Sequence, residues 1–257
     1  MSAQKFHPRV LKACVWTGPV FCLMWLAGGG PLSLFILPPE SAAHTALQTV
    51  HTYTEHLTRV QIGCVLMIMS STIYCVWAIV VSLYTRESEG HRPALFWTQM
   101  LSLACCEVVV MMIGFFWGVA AFRAGHIAPQ ITQMLNDLGW FGVLFTGAPF
   151  AMYMIALAGS ILLDKSERPA FPRWVAYYNL FTTFFMFEAS LLIFFKHGAF
   201  AQNGLMVFYL PMIVFFVWIM VMSRLTFKAI NRERDELKSI AQMPDLDAPA
   251  ARTPVAA

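Results

Sequence analysis

The chain has 257 residues, of which 58% are hydrophobic and only 12% are charged. Soluble globular domains usually carry about 25% charged residues, so this composition argues against a soluble enzyme or binding domain. The net charge of +3 is too small to indicate a nucleic-acid partner. The mean hydropathy of +0.63 is instead typical of a chain that lies in a lipid bilayer and crosses it several times.

Six apolar segments of about 20 residues or more are separated by polar loops, and about 20 residues suffice to cross a bilayer as an α-helix. The predicted fold class is therefore all-α, a polytopic membrane helical bundle with six transmembrane helices in a single domain over residues 1–240. The predicted spans are 13–37, 60–84, 94–121, 139–163, 174–195 and 205–227. An Ala- and Pro-rich segment, 241–257, is expected to be a disordered cytoplasmic tail.

The basic residues are distributed unevenly between the two sides of this predicted bundle. An even number of spans puts both termini on one side, and that side carries 14 of the 17 Lys and Arg residues. The other side carries only Arg59, Arg123 and Lys196. Because cytoplasmic loops carry the excess of Lys and Arg, we expect both termini to be cytoplasmic.

The first span contains three consecutive glycines, Gly28 to Gly30, followed by Pro31. Proline has no backbone N–H to donate and clashes with the preceding turn, so the pattern predicts a break or kink in this helix. Two interpretations are open at this point. The break is either a kink near the outer interface or part of a midplane binding site built from a broken span.

The outer loop over 41–59 is long enough for an amphipathic helix, with an apolar face that includes Val50 and Tyr53. Its polar face includes His44, His51 and Glu55. Imidazole and carboxylate groups are common ligands of divalent metals, so these three residues are candidates for a metal site. The alternative is an interfacial helix whose polar face simply contacts water and lipid headgroups.

The second outer loop, 122–138, contains Pro129 at a position that suits the beginning of a helix. Asp137 lies just before predicted span four. We expect Asp137 to cap the N-terminus of that span or to pair with Arg123 or Lys196, which lie on the same side.

Two carboxylates lie inside predicted spans, Glu107 in span three and Glu188 in span five. A charge at the centre of a membrane helix costs about 2.5–3.5 kcal/mol on the insertion scale, so intramembrane carboxylates are functional candidates. The two spans run in the same direction, and each Glu lies about 13 or 14 residues from its cytoplasmic start. The spacing predicts similar depths and, if the spans are neighbours, a shared pocket for a proton or a ligand. In the alternative interpretation each Glu is neutral and bonded to a neighbouring helix.

Near Glu107, the residues Gln99, Ser102 and Cys106 recur every three or four positions and form a polar stripe on span three. The stripe marks either a helix–helix contact or a solvated cavity, and its members are ligand- or proton-binding candidates. The six cysteines lie inside or beside predicted spans, which favours packing over a disulfide framework.

Three stretches in the C-terminal half are "LNDLGWF" (135–141), "FPRWVAYYN" (171–179) and "FFKHGAFAQNGLMVFYLP" (194–211). They resemble an uncharacterised group of six-span bacterial inner-membrane proteins. The resemblance implies a six-helix membrane fold and the bacterial cytoplasmic membrane, and it implies no activity.

These residues leave three hypotheses about function open, and none of them requires a cofactor. The first is a protein that binds or transports a small apolar or weakly polar molecule in an aromatic-lined pocket among spans one, three, four and five, with Glu107 and Glu188 supplying polar contacts or proton coupling. The second is an intramembrane enzyme that uses a Glu as general acid on a lipid-soluble substrate. The third is a non-catalytic subunit that packs against a second copy or another membrane protein.

Overall fold

A computed structural model describes residues 7–33 and 36–242, which form α-helices and short 3₁₀ and π turns and no strand. Most of the predicted tail, from 243 onward, lies outside the described residues. The α-helices are α1 (Pro8–Ala27), α2 (Ala46–Glu55), α3 (Leu57–Leu83), α4 (Ala94–Arg123), α5 (Pro129–Phe145), α6 (Gly147–Leu163), α7 (Trp174–Glu188) and α8 (Leu210–Ala241).

Six helical stretches are long and apolar enough to cross a membrane, and each overlaps one predicted span. They are Pro8–Leu32, Leu57–Leu83, Ala94–Arg123, Pro129–Leu163, Trp174–Phe194 and Leu205–Ala241. The all-α, six-span prediction is therefore confirmed. Large apolar side chains remain exposed on the outward faces, for example Leu23 and Phe184. Such faces suit contact with lipid because they present no polar group that would need a hydrogen-bond partner there.

The helix that contains predicted span four begins ten residues before the predicted start of that span. The helix begins at Pro129, whose missing N–H is tolerated at the first helical position, and Ala128 occupies the N-cap. Asp137 consequently lies inside α5 and does not cap it, although Lys196 attracts its charge. Polar residues in the first turns of α5 lowered the local hydropathy, which placed the predicted boundary too late.

The six spans pack in chain order as a closed ring. Helix α1 packs against α3, α3 against α4, and α4 against both α5 and α6; α6 then packs against α7, α7 against α8, and α8 returns to α1. The interior contains four tryptophans that are fully buried, Trp77, Trp117, Trp140 and Trp218. The ring therefore has one continuous core.

One end of the ring, which we call the groove end, brings together the beginning of α1, the connections over 84–93 and 164–173, and the C-terminal half of α8. A polar groove of about 740 Å³ lies there, bordered by Leu11, Tyr84 and Arg232 among other residues. The Tyr84 hydroxyl donates to Glu233 at 2.7 Å, and Arg232 donates to the Pro169 carbonyl at 2.7 Å. These bonds attach α8 to both connections.

The opposite end, which we call the cap end, consists of residues 36–56, 124–128 and 195–204. The helix predicted within 41–59 is confirmed as α2, and a reciprocal capping box between Thr45 and Gln48 starts it. The predicted break in span one is also confirmed: α1 continues as a π turn over Gly28–Leu32, in which Gly30 is non-helical. Arg59 donates to the Pro31 and Leu32 carbonyls and so satisfies groups that the break releases.

Candidate functional site

A cavity of about 110 Å³ lies inside the ring, on the cap-end side of its middle. Every span except α3 contributes residues to this cavity. The contributing spans include spans one, three, four and five, which were predicted to form an aromatic pocket, and also span six. The lining residues are Phe21, Trp25, Val110, Ile113, Val143, Leu144, Thr146, Gly147, Phe150, Met186, Ala189, Val207, Phe208, Pro211, Met212, Phe215 and Phe216. We call this space the central cavity.

Regular α-helical geometry is interrupted in three of the lining spans at the level of the central cavity. Thr146 separates α5 from α6, and its hydroxyl donates to the Gly142 carbonyl. Helix α7 tightens into a 3₁₀ turn at Ala189, and α8 is preceded by a π turn over Leu205–Tyr209. Irregular backbone at membrane depth is tolerated where it is buried in protein or lines a cavity. The interruptions shift successive side chains out of helical register beside the open space.

Aromatic rings form much of the wall. The ring centroids of Phe150 and Phe215 are 4.8 Å apart, and those of Trp25 and Phe216 are 5.9 Å apart. Tyr74 of α3 packs behind this wall, with its ring centroid 4.9 Å from that of Phe21. Among the described residues on the wall, Thr146 supplies the one hydroxyl group, and its proton is already donated. A surface of this kind favours neutral apolar groups and opposes charged ones.

The structure places Glu107 and Glu188 away from this wall. Glu107 lies at the contact between α3 and α4, where its Oε2 accepts from the Cys75 thiol at 3.4 Å and its Oε1 has no hydrogen-bond partner. Glu188 is the last residue of α7 and is half-buried, and its side chain makes no hydrogen bond with another described residue. Helices α5 and α6 lie between α4 and α7 in the ring. Neither carboxylate lines the central cavity or the groove.

The polar stripe on α4 lies at a helix–helix contact. Gln99, Ser102 and Cys106 are all buried, and the Gln99 amide donates to the Ser160 hydroxyl of α6 at 3.0 Å. Ser160 in turn donates to Glu89 at 3.3 Å, and Glu89 accepts the backbone N–H of Leu95 at 2.6 Å. The stripe therefore joins α4, α6 and the connection before α4, nearer to the groove end than the central cavity is.

The metal-site candidates separate into two groups. His51 Nδ1 lies 3.5 Å from Glu55 Oε2 on the exposed face of α2. His44 precedes the helix, and its backbone carbonyl accepts from Gln133 at 2.9 Å. Within residues 7–33 and 36–242, no group of three metal-ligating His, Cys, Asp or Glu side chains is found.

A buried polar cluster that the sequence did not predict lies at the cap end. The Tyr53 hydroxyl donates to Asn136 Oδ1 at 3.0 Å, the Asn136 amide donates to Glu40 Oε2 at 3.4 Å, and Gln202 donates to the Glu40 carbonyl at 3.3 Å. We call Glu40, Tyr53, Asn136 and Gln202 the polar layer. Glu40 lies in a loop outside every predicted span. The carboxylates predicted as ligand- or proton-binding residues were those inside spans, and Glu40 is not one of them.

An aromatic layer separates the polar layer from the central cavity. The Trp117 indole N–H donates to the Asn136 carbonyl at 3.2 Å, and the centroids of Trp117 and Trp140 are 5.4 Å apart. Trp140 contacts Phe208 with centroids 5.7 Å apart, and Phe208 lines the cavity. From the cap end inwards, the core thus passes from polar groups to aromatic rings to open apolar space.

No protein-family model, curated protein or solved structure matches this chain. The resemblance to a group of six-span bacterial membrane proteins therefore stays a prediction, and the site is interpreted from its geometry alone.

Proposed function

We propose that the protein is an integral membrane protein that binds a small, neutral, apolar or weakly polar molecule in the central cavity. The observation that carries this proposal is the lining, which consists of aromatic and aliphatic side chains with the single hydroxyl of Thr146. Apolar cavities in protein interiors stay dry and accept apolar guests. A bound molecule would make dispersion contacts with lining side chains that have no partner atoms on the cavity side.

The size of the cavity limits what enters it without rearrangement. Its volume of about 110 Å³ is somewhat smaller than the roughly 150 Å³ of an engineered apolar cavity that binds benzene. We therefore propose that the bound group is a single ring or a short branched chain, either alone or as the end of a longer lipid-soluble molecule. A charged group would lose its hydration without gaining a partner.

This proposal assigns neither proton coupling nor catalysis to the cavity. Glu107 and Glu188 do not line it, and a general acid must reach the reacting atom within hydrogen-bond distance. Binding is therefore favoured over the transport and enzyme hypotheses that use these two carboxylates. A purely structural subunit is the main competing explanation, and the experiment below distinguishes it.

The proposal is tested by photolabelling the protein in lipid nanodiscs with a phenyl diazirine and mapping the adducts by mass spectrometry. We expect adducts on cavity residues such as Trp25 and Phe216 that disappear when excess iodobenzene competes. Val110→Trp should abolish these adducts because Val110 lines the cavity. Val108→Trp, on the same helix but 61% exposed, should leave them unchanged. Adducts confined to outward faces and insensitive to the competitor would contradict binding and support a structural subunit.

We further propose that the membrane is the bacterial cytoplasmic membrane and that the groove end faces the cytoplasm. The excess of Lys and Arg at that end supports this orientation through the positive-inside rule. A reporter fused after Ala257 should be active only in its cytoplasmic form. Activity of a periplasmic reporter at that position would overturn the orientation.

A further inference from the structure

The polar layer ties together four segments at the cap end. Glu40 belongs to the loop before α2, Tyr53 to α2, Asn136 to α5, and Gln202 to the connection between α7 and α8. Hydrogen bonds of 3.0 Å, 3.4 Å and 3.3 Å link them in that network. Moving any one of these segments away from the others therefore breaks a hydrogen bond made by Glu40 or Asn136.

The carboxyl group of Glu40 is buried but poorly bonded. The residue is 9% exposed, Oε2 accepts one long bond from Asn136, and Oε1 has no hydrogen-bond partner. No Lys or Arg of the described chain forms an ion pair with it. Burial raises the pKa of this carboxyl more than the neighbouring Thr52, His44 and Asn136 lower it. An ionised carboxylate at this position would be a buried charge that is paired with no Lys or Arg of the described chain and is attracted by the imidazole of His44, a combination that is unfavourable because of the lost hydration.

Other buried polar atoms at this end of the bundle also have no hydrogen-bond partner. Thr132, Asn136 and Trp140 occupy successive turns of one buried face of α5, and both Thr132 Oγ1 and Trp140 Nε1 are unpartnered. A neutral carboxyl offers a hydroxyl donor as well as acceptor oxygens, whereas an ionised carboxylate only accepts. Trp140 Nε1 only donates and so does not itself select the neutral form, which is favoured instead by the burial of Glu40 and by the lack of an ion pair with a described Lys or Arg.

We propose that Glu40 is a proton-binding switch for the cap end: its neutral form keeps the loop before α2, α2, α5 and the 195–204 connection closed, and its ionisation opens them. The switch concerns the cap end alone and does not depend on whether the central cavity binds a molecule.

The other titratable groups around Glu40 determine how strongly it responds to pH. His44, in the same loop, attracts the ionised carboxylate, while Asp137 of α5 repels it. Tyr53 of α2 is a neutral donor because burial raises its pKa well above the usual value. From the 195–204 connection, Gln202 is uncharged and Lys196 acts on Asp137.

The direction of the pH effect follows from the raised pKa of Glu40. A carboxyl whose pKa is higher in the closed state than in the open state binds its proton more tightly when closed. Its contribution to closure is complete at low pH and is lost as pH rises through the pKa of the closed state. Between the pKa of the open state and that of the closed state, the open population increases by up to about tenfold per pH unit, since one proton is released, and above the closed-state pKa it levels off.

The switch is tested by hydrogen–deuterium exchange of the full chain in nanodiscs between about pH 5 and pH 9. Peptides from 46–55 and 195–204 are compared between the wild type, Glu40→Gln and Glu55→Gln. Gln is neutral at every pH, so comparison with Glu40→Gln at each pH removes the intrinsic pH dependence of exchange. Glu55→Gln is the matched control because Glu55 is exposed at the same end.

We expect the wild type and Glu55→Gln to exchange these peptides at the Glu40→Gln rate at low pH and progressively faster as pH rises. Identical pH profiles for the wild type and Glu40→Gln would overturn the proposal. So would faster exchange in Glu40→Gln at every pH, since the ionised form would then be the one that holds the cap. If Glu40→Gln does not fold, α6 in the wild type serves as the reference, and a constant ratio of cap to α6 exchange across the pH range would refute the switch.

Discussion

At position 147 the absence of a side chain allows α6 to lie directly against α7. A Cβ built on Gly147 would overlap the carbonyl oxygen of Met186, and both residues line the central cavity. A backbone carbonyl inside a helix cannot rotate away as a flexible side chain does. The contact therefore sets the separation of the two helices at the level of the cavity.

Gly147→Ala should destabilise the protein by about 1–3 kcal/mol or more, because overpacking forces the two helices apart. Gly118→Ala is the matched control: Gly118 lies inside α4, and a Cβ there meets no atom within 4 Å. That control should be neutral or stabilising by up to about 1 kcal/mol. Unfolding free energies measured in detergent test the pair, and equal effects of the two substitutions would contradict the role given to Gly147.

Individual site residues were the part of the molecule that the sequence predicted least well. Residue spacing predicted how deep Glu107 lies in the membrane. The direction in which its side chain points depends on how α4 is rotated against α3, and tertiary packing sets that rotation. Val110 and Ile113 face the cavity, whereas Glu107 meets Cys75. Glu40 was not predicted as a site residue for a related reason. A carboxylate in a loop is expected to contact water, and only the tertiary packing shows that this one is buried.

At the scale of helices, two buried indole groups dock α8 onto its neighbours. Trp77 of α3 donates to the Ser223 hydroxyl of α8 at 2.8 Å, and Trp218 of α8 donates to Asn179 of α7 at 2.9 Å. The two indole rings also contact each other edge to face, with centroids 5.3 Å apart. Helix α8 is thus joined to α7 and to α3 by one aromatic pair and its hydrogen bonds.

Ser223→Ala should lower the free energy of unfolding by about 1–3 kcal/mol, because it leaves the Trp77 N–H buried without an acceptor. Ser70→Ala is a suitable control, since Ser70 is also buried but donates only to the Met67 carbonyl of its own helix, at 2.7 Å. The control should cost less than about 1 kcal/mol. Equal losses for both variants would show that the bond between helices contributes nothing specific.

The helices themselves were largely predictable, because lipid requires continuous apolar surface and internal backbone bonding over the whole span. The Gly-Gly-Gly-Pro stretch likewise predicted the break after α1. The turns at Ala189 and Leu205 have no such local signal, since neither contains a run of Gly or Pro. The two turns lie against each other, and the turn at Ala189 also lies against α5, so they depend on tertiary packing, which hydropathy does not describe.

At the scale of the whole molecule, the ring is organised in layers along its axis. Paired charges occupy the groove end, hydrogen-bonded indoles and hydroxyls follow, and the central cavity lies beyond them. The aromatic layer of Trp117, Trp140 and Phe208 and then the polar layer complete the core towards the cap end. Open apolar space between two regions that contain buried hydrogen bonds is the feature that distinguishes this bundle from a uniformly packed one, and it is the basis for assigning a binding function.

The most direct test is the crystal structure of the protein grown in lipid and soaked with iodobenzene, with iodine located by its anomalous scattering. The binding account predicts an iodine peak inside the central cavity, between Phe150 and Phe216, that is lost in Val110→Trp and kept in Val108→Trp. Iodine peaks found only on the lipid-facing surface, with the cavity closed by repacked side chains, would contradict it.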